Sequence, residues 1–243
     1  MPAPAVEVRS LVKSFGDPPL EILKSINLIV EPGEFLAVTG RSGSGKSTLL
    51  YMMSGLDIPT SGSVLIDGIE IRSLPDYEFD IFRNQRLGFV FQFHYLLPEL
   101  TALENVLMPA RKTRQHTSRH KKALDLLERF SASHCRDKVP GQMSGGEQQR
   151  VAIARSLIMD PDFLFADEPT GNLDSVNGEE VMKIFDETNR EGTTILMVTH
   201  EPDYAVRAGR VIHMKDGAID SDVPGGRRAA VRATRNGADK KRK

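Results

Sequence analysis

Gly40-Arg41-Ser42-Gly43-Ser44-Gly45-Lys46-Ser47-Thr48 decides the reading of this chain. The apolar run Phe35-Leu36-Ala37-Val38-Thr39 leads into it, and the helix-compatible Ser47-Thr48-Leu49-Leu50-Tyr51-Met52-Met53 leads out. Strand, glycine-rich loop and helix start in succession are the setting that a phosphate-binding loop requires, and a merely flexible Gly/Ser turn would lack it. The glycines let backbone N–H groups turn inward around the β- and γ-phosphates, while the helix N-terminus adds partial positive charge. Lys46 is placed to neutralise phosphate oxygens and Ser47 to ligate Mg²⁺ through its hydroxyl.

A chain of 243 residues can bury a full α/β core but is short for two nucleotide-binding units. The expectation is one domain, residues 1–222, with a helical subdomain at about 93–157 inserted into it. A hydrophobic share of 40% and a charged share of 27% are those of an ordinary globular protein. No apolar run reaches the length of a membrane span, and Met1-Pro2-Ala3-Pro4-Ala5 lacks the features of a signal peptide, so a cytoplasmic location is expected. Cys135 is the only cysteine, which rules out an intrachain disulfide and leaves that residue with no expected role. The net charge of −1 hides a basic stretch from Arg227 to Lys243 opposed only by Asp239. Residues 223–243 are expected to form a solvated, disordered tail, with attraction to anionic lipid headgroups as the functional alternative. Basic residues without interleaved aromatics give no sign of nucleic-acid binding.

Strands are expected at Val6–Leu11, Ile26–Val30 and Ser63–Ile66, with turns at Glu31-Pro32-Gly33 and Asp67-Gly68. Phe163-Leu164-Phe165-Ala166 and Thr194-Ile195-Leu196-Met197-Val198 are uninterrupted apolar runs, as in strands covered on both faces of a parallel sheet. Val181, Ile184, Phe185 and Thr188 recur at helical spacing between them. From about Thr101 to Leu157 the pattern is helical, with Ala123, Leu124, Leu127 and Phe130 as one core-facing stripe.

Two further motifs carry chemistry. Asp167 and Glu168 follow the apolar strand at its C-terminal end, the edge where open α/β sheets bind ligands. Asp167 suits a Mg²⁺ water shell, and Glu168 suits polarisation of an attacking water. Met143-Ser144-Gly145-Gly146-Glu147 precedes the helical Val151-Ala152-Ile153-Ala154-Arg155 and offers a second anion-binding helix start. One triphosphate does not need two, so a pair of chains, each closing this helix end over the other's nucleotide, is the physical solution.

At this point the chain resembles the ATP-binding-cassette (ABC) ATPases over nearly all its length except the basic tail. Ser144, Gly145, Gly146 and Glu147 look like the family signature, with Met143 and Glu147 departing from its commonest form. The resemblance implies an α/β P-loop NTPase fold with a RecA-like core, an N-terminal antiparallel β subdomain and an inserted helical subdomain. It further implies that Phe15 stacks on adenine and that Gln92 reaches the metal and attacking water. Asn172-Leu173-Asp174 matches the D-loop and His200 the switch histidine at the γ-phosphate. Catalytic roles thus fall to Glu168, His200 and Gln92, metal binding to Ser47, Gln92 and Asp167, and nucleotide contacts to Phe15, residues 40–48, 144–147 and Asp174.

Gln92-Phe93-His94-Tyr95-Leu96-Leu97-Pro98 is similar to LolD-type ATPases of lipoprotein-releasing systems. Ala166–Asp174 is shared with MacB-type exporters and FtsE-type division cassettes. The resemblance implies ATP and Mg²⁺ as ligands, a head-to-tail homodimer, and two LolC/LolE-like transmembrane permease subunits at the inner membrane. Phe93, His94, Tyr95, Leu96 and Leu97 are candidates for the permease-docking groove, a buried helical-lobe core being the alternative reading of each. MacB-like efflux, peptide sensing and an FtsE-like regulatory role remain the alternative functions.

Overall fold

The structure, a computed structural model, describes residues 3–226. In chain order its first elements are β1 (Val6–Phe15), β2 (Leu20–Val30), β3 (Phe35–Gly40), α1 (Lys46–Met53), β4 (Ser61–Ile66), β5 (Ile69–Glu70), α2 (Asp76–Arg86) and β6 (Leu87–Phe91). There follow α3 (Ala102–Lys112), α4 (His120–Arg129), α5 (Gly145–Leu157), β7 (Phe163–Asp167), α6 (Ser175–Arg190), β8 (Thr194–Val198), α7 (Pro202–Ala205), β9 (Arg210–Lys215) and β10 (Ala218–Pro224). The chain divides into two compact units, Met1–Leu74 with Thr194–Lys243, and Pro75–Thr193.

In the first unit β1 pairs antiparallel with β2 on one side and β4 on the other, and β5 extends the sheet from β4. This is the expected N-terminal β subdomain. A second set of strands runs in the order β10-β9-β3-β8, with β3 parallel to both β8 and β9. All five residues of β8 and the first four of β3 are buried, which is why neither sequence alternates. Glu31-Pro32-Gly33 and Asp67-Gly68 turn as expected.

The hairpin of β9 and β10 was not expected. Its turn is Asp216-Gly217, with φ of 49° and 82°, near the 50° and 77° of Asp67-Gly68, the left-handed pair that suits a tight hairpin. Arg210 fastens it, donating to both carboxylate oxygens of Asp222 at 2.7 and 2.6 Å and to the carbonyl of Ile29 at 2.8 Å. The expected domain end at residue 222 falls within β10. β10 continues to Pro224, and the N–H groups of Gly225 and Gly226 donate to the carbonyls of Gly209 and Val206, both at 3.0 Å. The basic run from Arg227 to Lys243 lies outside the described residues.

In the second unit β6 and β7 pair in parallel, from Leu87 opposite Phe163 to Phe91 opposite Asp167. The helical segment inserted between them holds α3, α4 and α5. The α4 stripe differs in one position from expectation: Ala123, Leu127 and Phe130 are buried, but Leu126 is buried where Leu124 is only half so. Both spacings suit one helix face, and packing decides between them. α6 buries Val181, Ile184, Phe185 and Thr188 as its spacing required.

α3 starts at a reciprocal cap, with Thr101 Oγ1 accepting from Glu104 N–H at 3.2 Å and the Glu104 carboxylate accepting from Thr101 N–H at 3.0 Å. Asn105, fully buried, donates to the carbonyls of Leu97, Leu100 and Thr101 and accepts from Leu97 N–H at 2.8 Å. One amide thereby fixes the end of the candidate docking segment, at Leu97, and the turn after it. Among the described residues no helix is long and apolar enough to cross a membrane.

Candidate active site

The first unit supplies the phosphate loop. β3 delivers Gly40 at φ 143°, where a Cβ would stand 2.3 Å from the Met214 carbonyl oxygen and 2.7 Å from Ser44 Oγ, so only glycine fits. Gly45, at φ 96° and ψ 7°, caps α1 in the left-handed region, and a Cβ there would meet a Leu23 methyl at 2.9 Å. The loop is braced by Ser44 N–H donating to the Arg41 carbonyl at 3.2 Å and Gly217 N–H donating to the Ser44 carbonyl at 3.2 Å. The β9–β10 turn thus supports the loop directly.

Lys46 is buried and its ammonium donates to the Arg41 carbonyl at 3.0 Å, curling over its own loop. Ser44 Oγ is buried with no hydrogen-bond partner. The first turn of α1 holds no acidic side chain to offset its dipole. An orphaned hydroxyl, a folded-in lysine and an unneutralised helix start fit a polyphosphate. His200 lies exposed two residues beyond β8, at the same end of the parallel strands as the loop that leaves β3. Phe15, at the end of β1, is 47% exposed, with the Lys13 ammonium 4.5 Å from its ring centre, so one side chain there offers a flat surface for stacking.

The second unit assembles the carboxylates and the glutamine. Asp167 ends β7 buried, and Glu168 follows at φ 48°, a left-handed conformation unusual for a glutamate. Gln92 leaves β6 beside it. A Cβ on Gly171 would stand 3.0 Å from Gln92 Nε2 and 3.4 Å from Glu168 Oε2, so both side chains close around that glycine. Asn172 locks the glutamine in place, donating to its backbone carbonyl at 3.1 Å while accepting from Nε2 at 3.4 Å. Ser47, Gln92 and Asp167 each carry an oxygen donor of the kind that Mg²⁺ prefers.

Ser144 is the N-cap of α5 and Glu147 its reciprocal partner. Ser144 Oγ accepts from Glu147 N–H at 3.3 Å, and Glu147 Oε2 accepts from Ser144 N–H at 2.6 Å. The expected nucleotide contact from Glu147 therefore does not rest on its side chain, which is turned back onto the cap and onto His134 Nε2 at 2.5 Å. The Ser144 N–H and then His134 hold this carboxyl well below the usual carboxylate range. Asp174 is similarly occupied as the N-cap of α6, accepting from the backbone and side-chain N–H groups of Asn177, both at 2.9 Å, and those bonds lower its pKa.

Sequence reading missed the groups that tie these motifs together. Asn177 Oδ1 would stand 2.3 Å from a Cβ on Gly146 and accepts from Arg150 Nη1 at 2.9 Å, so the starts of α5 and α6 meet on one amide. Gln149 donates to the Pro169 carbonyl at 2.7 Å in a buried contact. Arg155 donates to the carbonyls of Tyr95 and His94 at 2.6 and 2.8 Å, anchoring the segment after Gln92 to α5. Burial lowers the pKa of His94, partly opposed by its bond to Gln148. Phe93 and Tyr95 are each 64% exposed and Leu97 is 40% exposed, so the buried-core reading fails for these three. His94 and Leu96 are half-buried.

The family described as ABC transporter matches residues 23–171. A lipoprotein-releasing system ATP-binding protein LolD from Leptospira interrogans is 51% identical over 89% of this chain and 91% of its own. A macrolide export ATP-binding/permease protein MacB from Chlorobaculum tepidum is 45% identical, covering 89% of this chain but 34% of that longer protein. Among solved structures, the dimeric ABC transporter cassette MJ0796 superposes with a TM-score of 0.84 at 39% identity, covering 90% of this chain and 98% of that one. Its post-hydrolysis state, bound to ADP and Pi, superposes with a TM-score of 0.81 at 38% identity. The phosphate loop, the carboxylate pair after β7 and the capped signature helix thus occur in the order and fold of a known group, and the chain belongs to the ABC transporter family as one of its ATP-binding, ATP-hydrolysing cassettes.

Proposed function

We propose that this ATPase works as a homodimer at the cytoplasmic face of an inner membrane, driving two LolC/LolE-like transmembrane subunits that release lipoproteins toward the outer membrane. The observation that carries the reading is the exposed Phe93, Tyr95 and Leu97 immediately after Gln92, in a chain 51% identical to a LolD. An apolar patch with polar handles suits a docked partner helix.

The proposed division of labour follows the residues. Phe15 stacks the base, while Lys46 and the N–H groups of residues 40–48 hold the phosphates. Ser144 with Gly145 and Gly146 closes over the nucleotide of the second copy. Glu168 takes up a proton from the attacking water, and His200 contacts the γ-phosphate. Mg²⁺, when bound, would be held by Ser47, Gln92 and Asp167 and would supply charge neutralisation at the phosphates.

Coupling runs through Gln92. A helix seated on residues 93–97 favours one of two lobe arrangements by a differential contact energy, and Arg155 carries any shift of that segment into α5. Tyr95→Ala with Leu97→Ala should leave basal hydrolysis by the isolated subunit within a few-fold of the original, because neither side chain is assigned to the reaction. In the assembled complex the pair should abolish both stimulation by the transmembrane subunits and lipoprotein release from inner-membrane vesicles. Retained release would move the coupling surface elsewhere. The 45% identity to a MacB cassette supports a second reading, efflux of a soluble peptide or drug; transport of such a cargo without lipoprotein release would favour it.

A further inference from the structure

Beside the start of α5 the chain gathers three side chains of metal-binding chemistry, two of which, His134 and Cys135, have no role in the proposed ATPase. His134 and Cys135 lie in the 3-10 turn Ser133–Cys135, and Glu147 lies in the first turn of α5. Imidazole nitrogen, thiol sulfur and carboxylate oxygen all fall within 4.8 Å of one another. Cys135 is fully buried and the Glu147 side chain is 16% exposed, whereas the His134 side chain is 56% exposed. The cluster therefore has a sheltered floor and one side open to solvent.

We propose that His134, Cys135 and Glu147 form a site for a divalent cation of the zinc class, with water as the fourth ligand. One sulfur, one nitrogen and one oxygen donor suit such a borderline ion and discriminate against Mg²⁺. Tetrahedral bonds of roughly 2.0–2.3 Å set neighbouring ligand atoms about 3.4–3.8 Å apart. His134 Nε2 and Glu147 Oε1, now hydrogen-bonded at 2.5 Å, must separate slightly, and the exposed imidazole is free to swing. A thiol binds such a cation as the thiolate, so its proton leaves as the ion enters. Lys138 Nζ stands 3.7 Å from Glu147 Oε1 and can turn outward as the ion arrives. The other oxygen of Glu147 still holds Ser144 N–H, so the ion and the cap of the signature helix share one carboxylate.

Zn²⁺ alone and Co²⁺ alone, titrated into the metal-stripped full chain without nucleotide, test the site. One equivalent of Co²⁺ should produce a near-ultraviolet thiolate-to-metal charge-transfer band, which reports on Cys135 because the chain has no other cysteine. Zn²⁺ should raise the thermal midpoint by binding the folded state. His134→Ala, at an exposed position, should weaken Zn²⁺ binding at least about tenfold, and Cys135→Ser should remove the band. Absence of the band from the unsubstituted chain, or Zn²⁺ affinity unchanged in His134→Ala, overturns the proposal and leaves the cluster a hydrogen-bonded cap over a buried thiol.

Discussion

Glu168→Gln binds ATP but hydrolyses it about 10²–10⁴-fold more slowly, the range expected when a general base is removed. Glutamine keeps the volume and one carbonyl oxygen beside Gly171 and the Gln92 amide, so the surroundings of the site persist while proton uptake is lost. The left-handed backbone at φ 48° is imposed equally on either residue, so folding changes little. With hydrolysis stalled, the ATP-bound dimer accumulates and is visible by size measurement in the presence of ATP. Turnover near that of the original chain would strip Glu168 of its catalytic role.

The second large effect separates binding from closure. Lys46→Ala deletes the ammonium that lies over the phosphate loop and should abolish tight nucleotide binding. Ser144→Arg should spare binding to a single copy, since the loop is untouched, yet place a long cation where the partner's nucleotide must approach. Loss of the serine cap costs α5 roughly 0.5–2 kcal/mol, too little to unfold the unit. In a twofold dimer each site pairs the loop of one copy with the signature of the other. A mixed dimer of the two variants therefore concentrates both lesions in one site and leaves the other whole. Each variant alone should be inactive and the mixture should recover hydrolysis. A mixture as inactive as its components, despite mixed dimers detected by differential tagging, would defeat the shared-site arrangement.

What could be read from sequence follows from how locally each feature is encoded. β7 and β8 are buried along their length and β3 over its first four residues, so their apolar runs are unbroken and unmistakable. α6 repeats its core positions at helical spacing and was equally legible. β9 and β10 were not, because Arg210, His213 and Lys215 break the apolar pattern. The Asp216-Gly217 signal was nonetheless present, the twin of the Asp67-Gly68 turn that was recognised. The same holds for the helix start at Ser144. A serine followed three residues later by glutamate is a capping box in sequence, and that spacing alone accounts for the direction of the Glu147 carboxylate. By contrast, the amide of Asn177 between α5 and α6, the grip of Arg155 on the Tyr95 carbonyl and the approach of His134 to Glu147 join residues 13 to 60 positions apart. No periodicity encodes such contacts; they appear only once the elements are packed.

The positive φ of Glu168 has a consequence for how this protein responds to selection. A non-glycine residue held in the left-handed region costs roughly 1–2 kcal/mol, a strain that glycine at the same position would relieve. Variants chosen only for heat resistance should therefore drift toward Glu168→Gly, gaining stability while discarding the one side chain proposed to accept the proton. Only simultaneous selection for turnover keeps glutamate in so uncomfortable a backbone. The position separates what the fold prefers from what the reaction demands, and libraries screened under the two regimes should diverge there.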